Sequence, residues 1–226
     1  MNFVDTFFNG QVLADAWPLL REGLWITLQL GAVAIGVGLT LGLLVAVLRL
    51  YGMTPVRALA AVYVDLFRSL PLLVLLIVVY YALPFVGLRL SSFASAVCAL
   101  GLVSAAYFAE IFRAGIQAIP KGQVEAAQAL GLGFPRTLID VVLPQAVRIV
   151  IPPLTGNCIN VVKDTALASV VAMPDLLKQA TQAQALAANP SPLIAAALIY
   201  LAFLWPLVLL VGHLERRLGA RAGAGR

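Results

Sequence analysis

The chain has 226 residues, of which 62% are apolar and only 11% charged, against about 25% charged in a soluble globular domain, which excludes an ordinary water-soluble fold. The net charge of +5 does not mark a nucleic-acid binder, because the basic residues are spread thinly between apolar runs and form no stripe. The expectation is one polytopic, all-α membrane domain over 1–226.

At the start, Phe3, Val4, Phe7, Phe8, Val12 and Leu13 recur at near-helical spacing, which predicts a helix lying in the membrane interface. No basic residue precedes Arg21, so this stretch lacks the charged region of a secretory signal and is expected to remain in the mature protein. The first span is the uncharged run 24–48, long enough as a helix, at about 37 Å, to cross a hydrocarbon core about 30 Å thick. A second span, 70–88, is entered through Pro71, and a third, 93–112, is made largely of small residues that favour close helix packing. The fourth, 141–162, holds Pro144, Pro152, Pro153 and Gly156, so a broken helix is expected there. The fifth covers 193–214. Cys98 and Cys158 lie in apolar stretches without a C-x-x-C spacing and read as small core residues rather than metal ligands.

Five spans place the termini on opposite sides. With the N-terminus outside, Arg49, Arg57, Arg113, Lys121, Arg136, Arg148, Arg216, Arg217, Arg221 and Arg226 all fall inside, and Arg21, Arg89, Lys178 and Lys163 remain outside. The positive-inside rule selects that orientation. It makes 113–140 a cytoplasmic loop. Within it Gln123–Leu130 is a run of good helix formers closed by Gly131. Ala126, Ala127 and Ala129 give this helix a side-chain-poor surface for a partner, and Glu125 near its start suits the helix dipole.

Polar groups at membrane depth are costly and mark candidate pathways. They gather in and after the fourth span as Thr155, Asn157, Asn160, Lys163, Asp164, Thr165 and Ser169. Interhelical hydrogen bonding is the competing role for them. Near the opposite face, Asp65, Arg68, Glu110 and Arg113 are candidates for charge pairs joining the second and third spans, or for an inner gate. No lysine completes the phosphate-binding loop G-x-x-x-x-G-K-[ST]. The only histidine, His213, lies beside Glu215, Arg216 and Arg217, where capping a helix end is its expected role. Nothing in the chain suggests catalysis, a cofactor or a metal site.

The spacing within the loop carries more than its composition. Glu125-Ala126-Ala127, three residues, Gly131, nine residues, Val141, one residue, then Leu143-Pro144 resembles the EAA loop of permease subunits of bacterial ATP-binding-cassette importers, with Val141 where isoleucine is usual. Phe67-Arg68-Ser69-Leu70-Pro71-Leu72-Leu73 is similar to that family's second-span entry, although Leu70 stands where threonine is more common. Lys163 to Ser169 and Leu214-Glu215-Arg216-Arg217-Leu218 resemble its polar amino-acid branch, the histidine and glutamine type.

This resemblance implies a type I importer transmembrane domain in the bacterial inner membrane, with five transmembrane helices, the N-terminus periplasmic and the C-terminus cytoplasmic. The cytoplasmic helix would be a coupling helix, with Glu125, Ala126, Ala127, Gly131 and Pro144 in the coupling set. The implied partners are a second permease copy or a sister permease, cytoplasmic ATPase subunits that bind ATP and Mg, and a periplasmic solute-binding protein. A stand-alone channel or secondary carrier, and a membrane scaffold without transport, are the alternatives. An odd number of spans disfavours an internal inverted repeat, and with it the carrier.

Overall fold

A computed structural model of the chain describes residues 2–223, and every regular element among them is helical. Arg226, and the side chains of Val4, Arg217 and Arg221, lie outside the described residues. Among the described residues four helices are long and apolar enough to cross a membrane, or five if one bent pair is counted as a single span.

The short α1 (Phe3–Phe7) is followed by α2 (Gly10–Tyr51), a helix of 42 residues. The separate interfacial helix expected over 3–13 is therefore confined to α1; the rest of that stretch belongs to the long helix. Asn9 is the cause. Its Oδ1 accepts hydrogen bonds from the amides of Gln11 and Val12, both at 3.1 Å, so it acts as an N-cap well upstream of the first uncharged run. At about 63 Å, α2 is roughly twice as long as a hydrocarbon core is thick.

The second span also departs from expectation. The segment expected over 70–88 changes helix type along its length and follows a bend, since α3 (Thr54–Ser69) and the segment from α4 (Leu72–Ile77) to Val86 meet at 101°. Proline disfavours a helical conformation in the residue before it, so Leu70–Pro71 ends α3. Beyond α4 the chain passes through a π-helical stretch, Val78–Ala82, and a 3-10 turn, Leu83–Val86, to Gly87 at φ +86°. The third and fifth spans appear close to their expected places as α5 (Ser92–Gln117) and α10 (Ser191–Gly223).

The fourth span corrects a second expectation. α8 (Leu143–Asp164) runs unbroken through Pro152 and Pro153, with the Thr155 hydroxyl donating to the Ile151 carbonyl at 2.8 Å, one of the local adjustments that let membrane helices accept proline. The irregular backbone lies at its ends instead. A three-residue helix α7 (Phe134–Arg136) and a π-helical stretch, Thr137–Val142, lead in, and a 3-10 stretch, Thr165–Val171, leads out to Ala172 at φ +57°. The remaining elements are α6 (Lys121–Ala129) and α9 (Leu176–Ala187).

Contacts divide the chain into two compact units. One unit comprises Met1–Val37, Leu70–Leu102 and Ile159–Leu207. Its core packs Ala16 and Leu20 of α2 on Leu176, Ala180 and Ala183 of α9 and Ala196 of α10. Gly23 makes that approach feasible: a Cβ there would lie 2.8 Å from Leu176 Cα. Thr27 Oγ1 accepts from the Leu176 amide at 3.0 Å. The chain start is tied down by the Asn9 amide donating to Ser191 Oγ at 3.0 Å and Asn189 Nδ2 donating to the Asp5 carbonyl at 3.1 Å.

The same unit contains Asp175, fully buried at the N-cap of α9, where its carboxyl accepts from the Leu177 and Lys178 amides. Burial pushes this carboxyl up from 3.8 to about 6, against the opposing pull of those amides. A carboxyl whose folded value is raised contributes most below its unfolded value and loses that contribution as pH rises through the folded one. Thermal unfolding of the purified protein is thus expected to have a larger midpoint drop between pH 4 and pH 6 than D175N, in which the amide still caps the helix but cannot ionise. Equal drops in both would contradict this.

The other unit comprises Gly38–Ser69, Val103–Cys158 and Val208–Arg226. In it α2 and α5 pack through small residues, as membrane helices do where their backbones approach closely. A Cβ at Gly42 would lie 2.8 Å from Phe108 Cβ and 2.9 Å from the Ala105 carbonyl oxygen. Ala46, Val64 and Ala109 join α2, α3 and α5 in one cluster, and Ile119, Val142 and Ala146 form another with Ile116, Val124 and Leu138 around it.

Candidate functional site

Pro120 precedes α6 in an extended conformation and starts it at Lys121. The helix thus begins two residues earlier than the composition implied. Glu125 consequently sits in the second turn, and no acidic residue occupies the first, so the dipole role expected of it falls away. The helix ends as the sequence indicated. Gly131 takes φ +81°; its amide donates to the Gln128 carbonyl at 2.9 Å, and the Leu132 amide donates to the Ala127 carbonyl at 3.1 Å. These two bonds are the Schellman arrangement, which needs a left-handed residue and so favours glycine.

The alanines do not all face the same way. Ala126 and Ala129 are exposed, but Ala127 is buried on the inner side of the helix, so Ala127 anchors α6 and is not part of its outer surface. Val124, from the same helix, packs on the Ile119, Val142 and Ala146 cluster. The outer face presents Glu125, Ala126, Ala129, Leu130 and Gly131, with Leu130 83% exposed. Pro144 is exposed in the first turn of α8. The inner face of α6 therefore rests on the end of α5 and the beginning of α8, and the outer face is open.

Among the predicted charges, the structure joins two and leaves two apart. Arg113 of α5 makes a bidentate pair with Glu110 one turn before it, with Nε–Oε2 at 2.9 Å. The interhelical partner of Glu110 is Arg49 of α2, at 2.8 Å. Arg49 carried no signal in the sequence beyond its sign. Asp65 and Arg68 form no ion pair among the described residues. Arg68 instead lies over the Tyr107 ring, 5.3 Å from its centroid, a cation–π contact. The expected link between the second and third spans is thus made by cation and ring, while the ion pair joins α2 to α5.

Along α8 and beyond, Asn157 is half-buried and its Nδ2 lacks a hydrogen-bond partner. Asn160 and Lys163 are exposed, and Asp164 and Ser169 are half-buried. Thr165 is buried, and its hydroxyl donates to the Val162 carbonyl at 2.7 Å. Among the described residues no three His, Cys, Asp or Glu side chains converge as a metal site would require.

Residues 38–220 match the family described as binding-protein-dependent transport system inner membrane component. The chain is 37% identical over 216 residues to the probable glutamine ABC transporter permease protein GlnM of Bacillus subtilis strain 168, covering 93% of this chain and 98% of that one. It is 39% identical over 203 residues to the arginine transport system permease protein ArtQ of the same organism, covering 89% and 93%. The solved structure described as an amino acid ABC transporter with histidines superposes with a TM-score of 0.86 at 35% identity, over 91% of this chain and 96% of the other. An inward-facing MetNI methionine ABC transporter chain superposes at 0.73 and 22% identity, over 88% and 96%, a likeness of fold.

Proposed function

This chain belongs to the family of binding-protein-dependent transport system inner membrane components, and on that footing we propose that it carries polar amino acids inward, driven through its α6 elbow. It is an ABC importer permease of the inner membrane, and ATP hydrolysis resides in a separate subunit. Its five spans count α3 and α4 as one, with the N-terminus periplasmic and α6 in the cytoplasm. ATP and Mg bind the partner ATPases, a second copy or sister permease completes the pathway, and a periplasmic binding protein delivers the solute.

The observation that carries the reading is the two-sidedness of α6. Its outer face, with Glu125, Ala126 and Gly131, is the docking surface. Its inner side carries the buried Ala127, and Val124 packs on a cluster that includes Ile116 of α5 and Ala146 of α8. Protein interiors are densely packed and transmit displacement, so a push on the elbow is felt at the start of α8, next to Pro144. The same helix carries Asn157 and Asn160, three positions apart and thus on one side. These two, with Lys163, Asp164, Thr165 and Ser169, are the substrate-pathway residues, and Asn157 brings a buried amide donor that has no partner among the described residues. Glu110 and Arg113, with Asp65 and Arg68, fix the spans or gate them.

Reconstitution with the ATPase and binding protein tests this. Glutamine, arginine or histidine in the binding protein is expected to stimulate ATP hydrolysis, and N157L is expected to lower uptake at least about tenfold, the effect of one lost hydrogen bond to a charged group. Undiminished uptake by N157L would remove Asn157 from the pathway. Flux through the chain alone, without ATPase or binding protein, would favour a channel or carrier.

A further inference from the structure

An arginine-walled cavity of about 450 Å³ opens where α2 ends, α3 begins and α5 ends. Arg49, Arg57 and Arg113 line it together with Thr54 and Gln117. Against three guanidinium groups there is one carboxylate, Glu110, bridging Arg49 and Arg113, so a net charge of two positives remains. Arg57 is exposed and holds only the Gly52 carbonyl, at 3.3 Å. The first amides of α3 add the positive end of a helix dipole on the same side.

The surroundings decide what kind of anion fits. Arg49 stands in the last turn of α2, directly after the uncharged run 24–48, and Arg113 one turn before the end of α5, which sets the cavity at the depth of lipid headgroups. Beside it α3 turns Leu59, Val62 and Leu66 outward, 71%, 62% and 51% exposed. Their spacing puts all three on one stripe of the helix. A basic hollow bordered by an exposed apolar stripe is complementary to a phosphodiester with acyl chains, while a free phosphate has no use for the stripe.

We propose that this cavity is a binding site for the headgroup of an anionic phospholipid, its phosphate held by Arg49 and Arg57 and its chains lying along α3. The site requires no particular orientation of the chain and is independent of the transport reading. Juxtamembrane arginines contribute enough per residue that losing one lowers affinity about fivefold.

The test is native mass spectrometry of the full chain released from detergent, titrated with phosphatidylglycerol or phosphatidylcholine of equal chain length. The wild type is expected to retain phosphatidylglycerol preferentially. R57Q is expected to weaken that retention about fivefold, R57K to keep most of it, and R148Q, which removes an exposed arginine of α8, to leave it unchanged. Equal retention of the two lipids, or equal loss in R148Q, would overturn the site. Displacement of the lipid by millimolar inorganic phosphate would reassign the cavity to a soluble anion and overturn the lipid proposal.

Discussion

G131D is expected to bring uptake by the reconstituted transporter to background, and solute-stimulated ATP hydrolysis with it, while the chain still inserts and folds. Two observations set the size of the effect. Gly131 sits at φ +81°, and a Cβ added there meets no atom of the chain within 4 Å. The intramolecular cost is therefore only that of the left-handed backbone, about 1–2 kcal/mol for most residues and less for Asp or Asn. A domain stable by about 5–15 kcal/mol survives it. Loss of transport beyond that cost must come from a side chain and a charge thrust into a docked partner. G131N retains the backbone tolerance without the charge and is expected to be milder. Unchanged unfolding together with lost coupling is the predicted pair; full uptake by G131D would show that the outer face of α6 is not a docking surface.

The second large effect is expected in packing. At Gly42 the added atom would meet Phe108 Cβ at 2.8 Å and a backbone oxygen at 2.9 Å, and Phe108 is itself fully buried. Neither neighbour is the free end of a flexible side chain, so G42V must push α2 and α5 apart. Overpacking of this kind costs about 1–3 kcal/mol, occasionally more, and the backbone contact puts this site at the upper end. Gly36 lies on the same helix, and a Cβ there meets nothing within 4 Å. Thermal unfolding in detergent is expected to show a lower midpoint for G42V and none for G36A. Equal midpoints for G42V and the wild type would mean that the two helices are not in close contact in the membrane.

Local chemistry was readable wherever the decisive partner is a neighbour in sequence. Gly131 could be assigned to a helix end because a left-handed cap leaves a residue-type signature, and the third and fifth spans are uninterrupted apolar runs. Direction within a helix was less accessible. Nothing in Glu125-Ala126-Ala127 distinguishes the buried alanine from the exposed one, since that depends on which side of α6 the rest of the chain covers. The continuity of α8 through Pro152 and Pro153 runs against the sequence expectation because the hydrogen bond that proline removes is visible in the sequence, while the helix around it is observed only in the structure. Asn9 was the opposite case. An Asn before Gly10 and a helical pattern is a cap signal, and it was obscured by the apolar spacing around it. The Arg49–Glu110 pair spans 61 positions and had no counterpart in any motif.

Leu130 has a consequence for the economy of the cell. At 83% exposure it is a large apolar side chain left uncovered at the tip of a stiff turn, and covering it is worth about 1.5–3 kcal/mol. On the docking proposed for α6, every copy of the permease made without an ATPase to meet it bears that cost and offers an adhesive point to other chains. Balanced synthesis of the two subunits is therefore favoured by the chemistry of a single leucine, and a surplus of permease is expected to be cleared or aggregated before a surplus of a soluble partner would be.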